Sequence, residues 1–419
     1  MSAPPKPLSL PQLGAVVAGN ALEFYDFLTF SFFAVQIGAV FFPGKDTTSS
    51  LLLTLATFGV GFATRPLGGV MIGTLGDTWG RKPAMLFSFG LMGFSVVGLA
   101  LTPSYASIGW YAPLLAVLFR LLQGFALGGE VGPTTAFLLE VAPPHRRGLY
   151  TSMQSATQYL STLVAGVVGL TLASLLSPEA LTQWGWRVAL LIGAAVVPFA
   201  LIIRKRLPET LHEPRARPGK RRGPMGGLFQ ISLLGLGMLA SATVGTYTMN
   251  YMTTFANRTL GFPPAWAFTA TVAGGSFAMV GAVLGGLLSD RFGRKPVMIG
   301  GTLALLALLI PAFMAMARTH SMTSLLVGTG LMALFVGMCA ATIICSLSES
   351  LPVNLRAGSL GIIYALAIAT FGGTAQFIVT WLIDVTGSPL APAWYLSGAL
   401  LLGLAAMIAM PESAPVRKR

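Results

Sequence analysis

Of 419 residues, 54% are hydrophobic and 9% are charged, against roughly 25% charged in an average soluble domain. With a mean hydropathy of +0.76, this composition excludes disordered, collagen-like and disulfide-scaffold chains. It leaves packed membrane helices, where the 50 glycines let backbones approach closely.

Twelve apolar runs follow one another, at about 13–41, 51–76, 84–103, 110–139, 149–176, 188–203, 228–256, 264–288, 297–317, 322–350, 357–384 and 391–410. Each is near the ~20 residues a helix needs to cross a bilayer, and lipid offers the backbone no partner outside a helix or a closed barrel. The first run is longer than a signal-peptide core and no small-residue cleavage site follows it, so it is expected to be retained. With both termini on one side, 20 of the 26 Lys and Arg gather there, which predicts that side to be cytoplasmic and the chain to be a multi-pass inner-membrane protein. The net charge of +13 is thereby a topology signal, and no nucleic-acid partner is expected. Eight of these cations lie between Arg204 and Gly227, a linker whose alternative reading is a site for anionic lipid headgroups. Cys339 and Cys345 stand about 9 Å apart along one helix, too far for a disulfide.

The halves repeat. Residues 68–83 read GGVMIGTLGDTWGRKP and residues 281–296 read GAVLGGLLSDRFGRKP, a shift of 213 residues. Glu140, Pro143 and Arg147 recur as Glu349, Pro352 and Arg356, and Leu207-Pro208-Glu209-Thr210 as Met410-Pro411-Glu412-Ser413. Parallel self-similarity predicts an all-α membrane fold of two pseudo-symmetric six-helix bundles, 1–203 and 228–419, joined by the linker 204–227 and enclosing a central cavity.

Few charges fall within the runs, and each must face the bundle interior. The first run carries Asn20, Glu23 and Asp26; the second carries Arg65; the fourth carries Arg120, Gln123 and Glu130. Gln154 and Gln158 form an i, i+4 stripe on the fifth. Tyr247, Asn250 and Tyr251 share a face of the seventh, and Tyr364 and Gln376, twelve residues apart, project from roughly one face of the eleventh. These neutral groups are expected to line the cavity, with interhelical hydrogen bonding as the alternative. Glu130 lies ten residues beyond Arg120, too far along the helix for a direct pair. The three histidines, His145, His212 and His320, all fall between runs, so no metal site is expected.

Residues 73–82 (GTLGDTWGRK) and 286–295 (GLLSDRFGRK) resemble the G-x-x-x-D-R-x-G-R-K/R loop of the major facilitator superfamily, with Thr78 in place of the usual arginine in the first copy. Gly19-Asn20-Ala21-Leu22-Glu23-Phe24-Tyr25-Asp26-Phe27, Arg65-Pro66-Leu67-Gly68 and Arg120-Leu121-Leu122-Gln123-Gly124-Phe125 resemble its metabolite–proton symporter family. Glu130, Thr151-Ser152-Met153-Gln154-Ser155, Trp184-Gly185-Trp186-Arg187 and Phe371-Gly372-Gly373 are most similar to the citrate–proton symporters within it.

The resemblance implies a secondary transporter acting as a single chain, with no cofactor beyond the proton as coupling ion and a small organic anion, a di- or tricarboxylate, as substrate. It implies a latch made of Asp77, Arg81, Glu140 and Arg147 in one half and of Asp290, Arg294, Glu349 and Arg356 in the other. Asp26 and Arg120 resemble the proton-coupling pair of sugar–proton symporters, with Glu23 as the alternative carrier and a permanent ion pair as the competing reading. Arg120 and Arg65 suit bidentate capture of carboxylates, with Asn20, Gln123 and the cavity amides beside them. Efflux antiporters of the superfamily usually show a Gly-Pro motif in the fifth helix, and residues 149–176 contain no proline. A uniporter or a membrane enzyme on the same scaffold are further rivals, and no nucleophile–base arrangement supports the enzyme.

Overall fold

The computed structural model describes residues 21, 24–44, 46–78, 81–128, 131–194, 225–353 and 355–415. No strand occurs among them. Helix α1 is a bent pair, Phe24–Phe32 and Ala34–Phe41, turned by 71°. Helix α2 covers Thr47–Ala63 and Arg65–Thr78, α3 covers Arg81–Leu101, α4 covers Tyr111–Leu127 and Val131–Val141, and α5 covers Arg147–Leu175. Helix α6 is described from 186 to 194. In the second half α7 covers Met225–Thr254, α8 Pro264–Phe292, α9 Arg294–Thr319 and α10 Met322–Ser350. Helix α11 comprises Arg356–Ala367, a π-helical turn Ile368–Gly372 and Gly373–Thr386, and α12 is Ala391–Ala409.

Eight of these helical stretches are long and apolar enough to cross a membrane, and bent α1 makes a ninth. Leu86–Leu101 and Tyr111–Leu127 are shorter apolar helices, so eleven of the twelve expected runs have a helix, and the sixth, 188–203, lies outside the described residues beyond 194. The linker lies outside the described residues as far as 224, and α7 begins at Met225, ahead of the expected start at 228.

Local chemistry marks the helix ends. Asp46 caps α2, its carboxylate accepting from the Ser49 N–H and hydroxyl, and these two bonds hold the Asp46 carboxyl below the usual carboxylate range. Gly293, at φ 101°, turns the chain from α8 directly into α9 in a conformation that side chains other than glycine avoid.

The halves meet along α5 and α8 and along α2 and α11. Gly59 lies so close to the Gly373 carbonyl that a Cβ there would collide with it. At the end carrying the repeated loops, Asp290 on α8 bonds to the start of α5. Toward the other end Phe33 packs on Phe268 at 4.9 Å between centroids, and the Ser31 hydroxyl donates to Gln376 Oε1 at 2.8 Å. The molecule is thus closed on both sides of its centre.

Candidate transport site

A cavity of about 40 Å³ sits between the halves, room for about three waters at the ~10–15 Å³ that each needs. Phe24 and Leu28 of α1, Ser155, Gln158 and Tyr159 of α5, Tyr247 and Asn250 of α7, and Tyr364 of α11 line it. Two hydrogen bonds cross it between the halves: Gln158 Nε2 donates to the Tyr364 hydroxyl at 3.1 Å, and the Tyr159 and Thr246 hydroxyls meet at 3.2 Å. Gln158, Tyr247, Asn250 and Tyr364 therefore stand where the sequence places them.

Gln154, Tyr251 and Gln376 do not. Gln154 Oε1 accepts from the Thr135 hydroxyl at 2.8 Å, turned toward α4 and away from the cavity. The Tyr251 hydroxyl accepts from Thr380 at 3.0 Å. Gln376 bridges Ser31 and the Tyr247 carbonyl. Twelve residues at about 100° each leave a net turn of about 120° on a regular helix, so the shared face expected for Tyr364 and Gln376 is a misreading of the period.

Arg65, Arg120 and Gln123 are also absent from the cavity wall. Arg120 is fully buried. Its Nη1 donates to Gln123 Oε1 at 2.7 Å and to the Phe27 carbonyl at 3.3 Å, and its Nη2 to the Phe58 carbonyl at 3.4 Å. Its guanidinium lies over the rings of Phe27, Phe30 and Phe58, at 4.1, 4.6 and 4.9 Å from their centroids. Arg65 lies over the same Phe27 ring at 4.4 Å and over Phe62 at 4.5 Å. Phe58 and Phe62 abut Tyr247 at 6.1 and 5.3 Å, so one layer of rings separates the two guanidiniums from the cavity. Among the described residues no carboxylate bonds to Arg120, and its Nε finds no partner.

The sequence-based pairing of Asp26 with Arg120 is not formed. One residue along a helix turns a side chain by about 100°. Phe24 and Leu28 face the cavity, Phe27 meets Arg120, and Asp26 points at α6. A Cβ at Gly193 would collide with Asp26 Oδ1. Asp26 is buried, and its Oδ1 has no hydrogen-bond partner among the described residues. Asn20, Glu23 and Glu130 lie outside the described residues.

At the loop end, Asp290 accepts from the Gly148 and Leu149 N–H groups at 2.8 and 2.9 Å, so a carboxylate of one half caps the positive end of a helix in the other. Arg294 is fully buried, pairs with Asp290 at 2.8 Å and grips Glu349 through two bonds of 3.1 Å. Arg356 Nε donates to the Ser348 carbonyl at 2.7 Å, closing the end of α10, and its guanidinium lies within electrostatic reach of Glu349 and of Glu140 in the other half. Glu140 is exposed and Arg147 half-buried; the side chains of Asp77 and Arg81 lie outside the described residues. The sequence reading overlooked Ser413, whose hydroxyl donates to Glu349 at 2.8 Å, and Glu412, which accepts from the Arg294 and Lys295 N–H groups at 3.0 Å each. The repeated Pro-Glu-Thr/Ser after α6 and α12 was the available signal.

A family model described as sugar (and other) transporter matches residues 12–214 and 265–415. The chain belongs to this family of the major facilitator superfamily. A citrate–proton symporter of Klebsiella pneumoniae is 36% identical over 399 residues, covering 93% of this chain and 89% of that one. An α-ketoglutarate permease of Escherichia coli is 34% identical over 393 residues, covering 91% and 88%. The solved proton:xylose symporter XylE, bound to 6-bromo-6-deoxy-D-glucose, superposes with a TM-score of 0.75 at 18% identity over 96% of each chain, a likeness of fold.

Proposed function

We propose that this chain is a proton-coupled symporter that imports a small carboxylate, a di- or tricarboxylate of the citrate type, by alternating access across the inner membrane. The observation that carries the reading is Arg120, a fully buried guanidinium whose hydrogen-bond partners are two backbone carbonyls and one amide. Buried charges are ordinarily paired. Among the described residues Arg120 has no counter-charge; the substrate supplies it, and Arg65 beside the same ring gives a second carboxylate its site. Asp26 carries the coupled proton, and Asp290, Arg294 and Glu349 form the latch that closes the cytoplasmic side, on which both termini lie. Residues 1–203 and 228–419 act as the two rocking bodies of one monomer.

The citrate–proton relative supports the tricarboxylate. The α-ketoglutarate permease favours a second reading, a keto diacid held by the same two arginines. Proteoliposomes test both: labelled citrate should exchange against internal citrate without a pH gradient and accumulate when the outside is acidified. If neither citrate nor 2-oxoglutarate exchanges, the carboxylate assignment falls.

A further inference from the structure

The hydroxyls of α5 nearly all bond back to their own helix. Thr151, Ser152, Thr157, Ser161, Thr162 and Thr171 each donate to a carbonyl three or four residues earlier. Ser155 breaks the pattern: it lines the central cavity, is 2% exposed, and its Oγ has no hydrogen-bond partner among the described residues. Asn250 also lines the cavity, from α7 in the other half. It is 4% exposed and its Nδ2 is likewise without a partner among the described residues. Buried polar groups almost always find partners, so two orphans on one cavity wall mark a place for a ligand atom.

We propose that Ser155 and Asn250 together form a hydrogen-bonding subsite for an uncharged oxygen on the substrate, the hydroxyl of a hydroxycarboxylate or the keto oxygen of a keto acid. This deepens the carboxylate assignment made above and rests on it. Among the described residues the cavity wall carries no charged side chain, so they offer no counter-ion for a carboxylate, which belongs with Arg65 and Arg120 behind the ring layer. Asn250 Nδ2 can only donate, so its ligand atom must accept; Ser155 Oγ can do either. A hydroxyl accepts from Asn250 and donates to Ser155, and a keto oxygen accepts from both. A methylene does neither, and an ammonium, which only donates, has nothing to offer Asn250 Nδ2. Because the two groups come from opposite halves, the same oxygen draws the halves together as the substrate is enclosed.

The test is binding to the purified full chain, read as thermal stabilisation against ligand concentration, with three matched pairs: citrate against tricarballylate, malate against succinate, and 2-oxoglutarate against glutarate. In the wild type the oxygenated member of the bound pairs should bind at least about tenfold tighter, since a site built for such an oxygen rejects the analogue that lacks it. In Ser155→Ala/Asn250→Leu the ratio should collapse to near one, and Ser155→Thr should keep it. Unliganded melting temperatures report whether each variant folds. A wild-type ratio near one, or a ratio that survives the double substitution, overturns the subsite while leaving the carboxylate assignment standing. Failure of all six acids to bind overturns both.

Discussion

Arg120 and Arg294 are both fully buried, and their surroundings could hardly differ more. Arg294, at the loop end of the second half, grips two carboxylates, Asp290 and Glu349, and Asp290 in turn caps α5. Arg120, in the heart of the first half, rests on phenylalanine rings and neutral oxygens. A cation over an aromatic face gains ≈ 2 kcal/mol or more when desolvated, and the bond to Gln123 adds to it, but neither neutralises the charge. The comparison separates two uses of one residue type: a buried cation with its anions in place fastens a structure, and one without them waits for an anion.

That difference is broken or sharpened first by Arg120→Met. The substitution fills a similar volume and removes no ion pair among the described residues, so the melting temperature should hold or rise. Carboxylate binding should weaken at least about a hundredfold, as expected where charged hydrogen bonds worth roughly 1.5–3 kcal/mol each are lost. A marked fall in melting temperature would make Arg120 a structural residue.

Asp26→Asn comes next. The slot against Gly193 accepts an amide of the same shape, so exchange of internal and external substrate should persist, while accumulation under an imposed pH gradient should disappear. Gly193→Ala presses on the same carboxylate and should mimic it in part. Undiminished accumulation in Asp26→Asn would remove this residue from coupling.

Arg294→Met should have the opposite profile to Arg120→Met. Asp290 and Glu349 would be left buried and uncompensated, a loss of about 3–5 kcal/mol visible in thermal unfolding. Cysteines introduced at the loop end should label faster as α8 loosens from α5. Unchanged labelling would show that the cluster does not hold that end closed.

The spans and their duplication were legible because lipid tolerates few charges, so every retained Asp, Glu, Lys or Arg stood out against an apolar background. The Asp290–Arg294–Glu349 cluster was legible for the same reason, since the loops repeat in both halves. Rotation was the part that failed. Asp26 and Phe27 are neighbours in sequence, yet only one of them can face α4, and composition does not say which. Gln376 stands twelve residues from Tyr364, a net turn of about 120° on a regular helix, and it bridges α1 and α7 instead of lining the cavity. Ser155 was hidden for another reason: its role lies in a bond it does not make, which only its neighbours on α5 reveal.

Glu412 offers the smallest test, at the edge of the Arg294 cluster. Its carboxylate accepts from the first two N–H groups of α9 and from Ala414 at 2.9 Å, placing negative charge at the positive end of that helix. Burial pushes the carboxyl up, but the N–H donors of Ala414, Lys295, Arg294 and Ser413 outweigh it and hold Glu412 below the usual carboxylate range. A group lowered on folding stabilises the folded state above its unfolded value, about 4.3 for glutamate, and that contribution fades as pH falls toward the lowered value. Wild-type melting temperature should therefore drop between about pH 5 and pH 3 more than that of Glu412→Gln, which keeps an acceptor oxygen but no charge. At neutral pH the substitution should cost about 1 kcal/mol, the scale of a lost helix cap. Parallel curves for the two proteins would mean that the charge at α9 contributes nothing, and that Arg294 is anchored by Asp290 and Glu349 alone.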